Sequence, residues 1–253
     1  MFRVSGSTAT EESPYDHVVF TTDDLPAPSG GYIDLTSGSW FFADSVDIGT
    51  DTLRIPSGAE VFIKGGGWTK VLSGSANPQI TVQGTLVAES FAAQSTNGNT
   101  LNLEGGATIL LQGCTLGSTG SYASIVLDAG ASSIGSVILV GSVLGSGGVG
   151  IEVLSGTVIE ISLTACEIQG VSTDSIHYTG GTVSVCRVSN CFMSSTQGIN
   201  WSAASIPTFG MLVTGNTFFC PFPVSGFTAA SARVNMKANS GLTGLLSETA
   251  IVP

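Results

Sequence analysis

The chain has 253 residues, of which 10% are charged, 42% hydrophobic and 34 glycine. Its 7 cations against 18 acids leave a formal charge of −11, which argues against nucleic acid as a partner. The apolar fraction is too high for a disordered chain, the glycines keep no three-residue period as collagen would, and the good surface helix formers Lys, Glu and Arg are scarce.

Residues 1–31 carry no repeat. They hold five of the 18 acids (Glu11, Glu12, Asp16, Asp23, Asp24) and close on Pro26-Ala-Pro-Ser-Gly-Gly31, which reads as an N-terminal arm and entry turn. No apolar core of export-signal length stands near Met1, so use without Sec export is expected. Apolar runs such as 136–144 fall well short of the roughly 20 residues of a spanning helix, so no membrane insertion is expected.

From residue 32 to 222 the chain is expected to form one repeating body. Asp51–Gly65 and Ile80–Ala88 alternate in polarity, and from about residue 100 the repeat is explicit. Thr108–Leu116 recurs as Ser136–Leu144, Glu160–Ile168, Val185–Met193 and Gly210–Phe218. Aligned, these give columns: Ile109, Val137, Ile161, Cys186, Met211; then Leu111, Leu139, Leu163, Val188, Val213; then Gly113, Gly141, Ala165, Asn190, Gly215; then Cys114, Ser142, Cys166, Cys191, Asn216; then Leu116, Leu144, Ile168, Met193, Phe218. Upstream in each copy run Leu101, Ile125, Ile151, Ile176, Ile199 and Leu103, Leu127, Val153, Tyr178, Trp201.

Period-2 alternation turns one side of each strand inward. Gly and Ser between the runs supply corners where positive φ is cheap. Spacings of 28, 24, 25 and 25 residues along the cysteine column match one coil of a parallel β-solenoid. A two-layer sandwich would explain short strands but not these columns. The fold class expected is all-β, a right-handed parallel β-helix of about seven coils over residues 46–222. Trp40-Phe41-Phe42 is expected over the open first coil, where core and strand edges would otherwise be bare. Cys220-Pro-Phe-Pro223 is expected to end the last strand. Residues 223–253, with Leu242, Leu245 and Leu246, read as a C-terminal cap or subunit contact.

Candidate chemistry is sparse. Glu104 and Asp128 should stack on adjacent coils at about 5 Å, a separation that suits a retaining glycosidase pair but that any stacked pair shares. Their column is expected to continue through Leu154, Thr179 and Ser202. His177 falls in the outward column Asn102, Val126, Glu152, His177, Asn200 and should hydrogen-bond at the surface, with Glu152 one coil below. Arg54, Arg187 and Arg233 share no column. Gly65-Gly-Gly67 reads as a corner rather than an anion nest. Tyr178 and Trp201 read as core, leaving Tyr122 and Phe209 as further aromatics that could stack on sugars. Cys114, Cys166, Cys186, Cys191 and Cys220 form no CxxC and read as reduced, buried small hydrophobes. No catalytic, cofactor or metal residues are assigned.

The segment Val18-Val-Phe-Thr-Thr-Asp-Asp-Leu-Pro-Ala-Pro-Ser-Gly-Gly-Tyr-Ile-Asp-Leu35, followed by Leu53-Arg-Ile-Pro-Ser-Gly-Ala59 and the coils, resembles the right-handed parallel β-helix proteins of tailed bacteriophage virions, of the tail-spike or capsid-decoration type. The likeness rests on architecture and a short leader and brings no catalytic motif. It implies a homotrimer on the exterior of a virion, assembled in the host cytoplasm and bound to other capsid or tail proteins. The first expectation is a non-enzymatic capsid decoration (cement) protein. Its uncharged face would pack inward and its acidic arm, residues 1–24, would reach a basic site on the particle. The alternative is a receptor-binding tail spike or fibre that binds, or hydrolyses, a host surface glycan. A cellular adhesin is disfavoured by the missing export signal.

Overall fold

A computed structural model describes residues 13–145, 147–201, 210–225 and 234–241. It is a parallel β-solenoid. A 17-stranded sheet wraps two of its faces and a nine-stranded sheet forms the third. Each coil passes from first to second to third face, as in Thr52–Ile55, Glu60–Gly65 and Val71–Gly74. The only helix among the described residues is a 3-10 turn, Thr22–Asp24, so none is long and apolar enough to cross a membrane.

The inward columns are paired as the alternation requires. Ile109 lies beside Val137, Val137 beside Ile161, Ile161 beside Cys186 and Cys186 beside Met211. Leu116, Leu144, Ile168, Met193 and Phe218 stack likewise on the third face. These side chains form one buried core running the length of the body. Tyr178 and Trp201 belong to it, their rings stacked at 3.7 Å, and the Tyr178 hydroxyl hydrogen-bonds to the Cys186 thiol at 3.2 Å.

There are about nine coils, not seven, giving a body of roughly 43 Å at about 4.8 Å per coil. One extra coil is Tyr32–Asp34, Gly38–Phe42 and Val46–Asp47. Trp40 and Phe42 are its inward residues, so the aromatic triplet is a core strand and no lid. Two large rings fill the volume that smaller aliphatics fill further along. The strand His17–Val19 pairs with Trp40–Phe42 of the coil that follows it, and His17 stacks on Trp40 at 3.8 Å. The other extra coil is Phe222–Ser225, Val234–Lys237 and Ser240–Gly241. Pro223 does not end the solenoid. Among the described residues its strand bonds to Gln197–Asn200 on one side, and the missing N–H interrupts no second ladder there. Of the segments flanking 32–222, both therefore contribute strands. Leu242, Leu245, Leu246, Arg233, Ser202 and Phe209 lie outside the described residues.

The corner between second and third faces is left-handed in seven successive coils: Ser90, Gly113, Gly141, Ala165, Asn190, Gly215 and Ala238 have φ of 50°, 60°, 57°, 52°, 53°, 66° and 51°. The next residue of each coil turns inward. Cys114, Ser142, Cys166, Asn216 and Asn239 each donate to a carbonyl one coil below, those of Ala88, Leu111, Leu139, Val188 and Val213, at 2.9–3.4 Å. Thiol, hydroxyl and amide thus perform one task. Asn216 and Asn239 add acceptors: the Asn216 Oδ1 takes the Cys191 N–H at 2.8 Å, and the Asn239 Oδ1 takes the Asn216 N–H at 3.0 Å.

Candidate functional surfaces

All five cysteines are free and buried. Burial pushes the Cys114 and Cys186 thiols up to about 11. Cys166 and Cys191 share a hydrogen bond on successive coils; that bond raises the Cys191 thiol, with burial adding to the rise, and lowers the Cys166 thiol to about 7 against the effect of burial. Cys166 is 2% exposed with its sulfur 3.4 Å from the Leu139 carbonyl, so lack of access, not protonation, keeps this column from acting as a nucleophile.

Glu104 and Asp128 are direct partners on adjacent strands. They border a cleft of about 450 Å3 with Ser57, Gln83, Gly105 and Ser132. Each carboxylate is engaged along the corner: Glu104 Oε2 accepts from Gln83 Nε2 at 2.7 Å, and Asp128 Oδ1 accepts from the Ser155 hydroxyl. The column does not pass to Leu154. A register shift after Leu127 sets Asp128 against Ser155, while Leu154 points outward and is 39% exposed. The expected continuation fails because a bulge adds residues between strands that the repeat treats as equal.

His177 does lie over Glu152, and Asn200 over His177. One partner of its ring was missed by sequence reasoning: Asp174 Oδ2, 3.3 Å from His177 Nδ1. Asp174 is 4% exposed; its Oδ2 also accepts from Asn200 Nδ2 at 3.4 Å, and its Oδ1 has no protein partner. Burial raises the Glu152 carboxyl above its usual value, His177 opposes the shift, and the Asp174 charge adds to it. Asp174 continues the buried column Ala123, Val149; the polarity break at that column was the available signal. Among the described residues no three His, Cys, Asp or Glu side chains converge where a metal could sit.

Four of the seven cations are tied to carboxylates on neighbouring coils. Arg54 makes a bidentate pair with Asp34 at 2.6 and 2.7 Å and covers the Tyr32 ring at 4.2 Å. Lys64 pairs with Glu89 at 2.7 Å, Lys70 with Asp44 at 2.8 Å, and Arg187 with Glu160. Gly65–Gly67 is a corner: a Cβ at Gly65 would lie 2.2 Å from the Ser90 carbonyl.

Two outer surfaces differ from the rest. On the second face, Phe62, Val87, Leu110 and Ile138 are consecutive outward partners, an apolar row four coils long. Beside it run Thr85, Thr108 and Ser136 on one edge and the Lys64–Glu89 pair on the other. On the third face, a groove of about 410 Å3 runs past Trp68, Ala92 and Gly117 to Gln169. No family model, curated protein or solved structure matches this sequence.

Proposed function

We propose that the protein is a non-enzymatic structural component of the exterior of a tailed-phage virion, a homotrimeric capsid decoration protein. The observation that carries this reading is the apolar row Phe62, Val87, Leu110 and Ile138 on a flat face. An apolar centre bordered by polar side chains is the anatomy of a subunit contact. The third face has the fewest charges, but its outward apolar residues Val71, Val143, Phe192 and Phe219 are interrupted by Thr115, Glu167 and Thr217 and it is grooved, so it offers no continuous apolar row. A heterologous contact from one flat face to the neighbouring subunit closes a ring with three-fold symmetry. The leader and coils that resemble phage β-helix proteins give the setting. Glu104 and Asp128, each held by a neighbouring coil, serve the corner in this reading and not a reaction. The attachment to other virion proteins is assigned to the N-terminal arm.

Light scattering at micromolar concentration should give three times the mass of the 25.6 kDa chain. Leu110→Glu should leave melting unchanged and produce monomers. A monomeric wild-type protein overturns the trimer. Because His17–Val19 is already a strand, deletion of residues 1–12 is the clean test of the arm. Particles assembled with that variant should lose the protein; full occupancy would move the attachment elsewhere.

A further inference from the structure

The third-face groove has a construction the trimer reading does not use. Gln94, Gly117, Gly145 and Gln169 are successive partners in one outward column. Two glycines thus leave a notch two coils long between two glutamines. The glutamines stand three coils apart, roughly 14 Å. The notch floor is backbone: a Cβ on Gly145 would lie 2.8 Å from the Gln169 carbonyl. At one end stands Trp68, on the corner after Glu60–Gly65 and 65% exposed. Its neighbour Gly67 has a φ of 101°, which fixes that corner. Among the described residues Trp68 is the most exposed of the large aromatic rings, ahead of Phe222 at 59%, Phe20 at 57% and Phe219 at 55%, whereas Trp40 and Trp201, the other two tryptophans, are 2% exposed.

No Asp, Glu, Lys, Arg or His lines the groove, although the chain carries a formal charge of −11. A charged ligand would find no counter-ion there. An extended apolar ligand would leave the glutamine amides unpaired. A neutral ligand with hydroxyls and one apolar face satisfies both ends. Each amide donates and accepts, which matches vicinal hydroxyl pairs, and the indole supplies a flat surface for C–H groups.

We infer that this groove binds a short uncharged oligosaccharide, lying along the solenoid axis with one ring on Trp68 and its hydroxyls on Gln94 and Gln169. The inference does not rest on the virion reading, since the groove belongs to each subunit. Any single site of this kind is weak, and a trimer would present three, so avidity would raise binding to a multivalent surface without new contacts.

The test is an array of neutral gluco-, manno- and galacto-oligosaccharides probed with the intact protein, followed by titration of its positives. Because Trp40 and Trp201 are buried, red-edge tryptophan emission reports Trp68. At least one neutral oligosaccharide should bind and change that emission. Trp68→Ala should weaken binding about tenfold or more, Gln94→Ala and Gln169→Ala each by several-fold, with unchanged melting. Uronic-acid analogues of the same length should bind no better. Absence of binding at millimolar sugar, or binding that Trp68→Ala leaves intact, overturns the inference. So does a Trp68→Ala variant whose mass falls to the monomer, which would make the groove a subunit contact.

Discussion

The two corners that flank the second face solve one problem in opposite ways. The corner leading to the third face turns through a single left-handed residue in seven successive coils, and at Gly113 and Gly141 a Cβ would meet nothing within 4 Å. Its order comes from the side-chain ladder just after it. The corner arriving from the first face has no such ladder. There the turns press on a neighbouring coil: a Cβ at Gly84 would lie 2.4 Å from Pro56 O, at Gly105 2.3 Å from Ser132 Cβ, and at Gly180 2.2 Å from Leu154 O. In two coils it disappears, and Ala123–Val140 and Val149–Thr164 run through it as continuous strands. A corner that repeats by hydrogen bonding tolerates varied residues; a corner that repeats by close approach tolerates only glycine, and bulges elsewhere.

The strand between the corners holds both. Leu163→Asp would bury an unpaired carboxylate at a site with 0% exposure and should cost about 4 kcal/mol or more, enough to abolish soluble protein. Normal melting of that variant would refute the inward column itself. At the regular corner, Asn216→Ala strands the Val188 carbonyl and the Cys191 N–H and should cost about 2–4 kcal/mol in chemical denaturation. A loss below about 1 kcal/mol would mean that the ladder is ornament.

Glycine substitutions sharpen the contrast. Gly180→Ala forces a methyl against the Leu154 carbonyl and should cost about 1–3 kcal/mol. Gly141→Ala meets open space and should cost only the left-handed backbone term, about 1 kcal/mol. Equal losses would erase the distinction between the corners.

The smallest effect is a pH dependence on the first face. The raised Glu152 carboxyl holds its proton more tightly folded than unfolded. Its contribution is therefore neutral below the unfolded value and turns unfavourable as pH rises through the folded one. Glu152→Gln should melt with wild type near pH 4 and slightly above it near pH 7, by less than about 1 kcal/mol because the group is half exposed. A variant less stable at pH 7 would show that the Glu152 charge is held favourably by His177.

The same contrast explains what could be read from the chain. Inward columns and the Cys-Ser-Asn ladder are legible because both keep the coil period and one polarity each. Leu154 was misplaced for the opposite reason: the bulge after Leu127 breaks the count without changing composition. The Trp40 coil hid because its large inward rings do not resemble the Leu and Ile of later coils. Asp174 hid because an acid in a buried column with Ala123 and Val149 violates the polarity pattern that located its neighbours. The groove was invisible because two glycines and two glutamines carry no periodic signal until adjacent coils are superposed.

Among the described residues every strand pair joins residues 20 to 28 apart in the chain, and no strand bonds to one two coils away. Such a body assembles as a zipper. Closing one loop of about 25 residues costs little more than closing the next, because closure entropy grows only logarithmically with length, and each docked coil templates its neighbour. The uninterrupted strands Ala123–Val140 and Val149–Thr164 make the largest single contact between consecutive coils, with twelve paired positions. The first stable pair should therefore form mid-body and growth should run outward in both directions. Amide exchange would then be slowest around Ile134, Val158 and Val183 and would quicken coil by coil toward His17 and Gly241, a gradient imposed by connectivity alone.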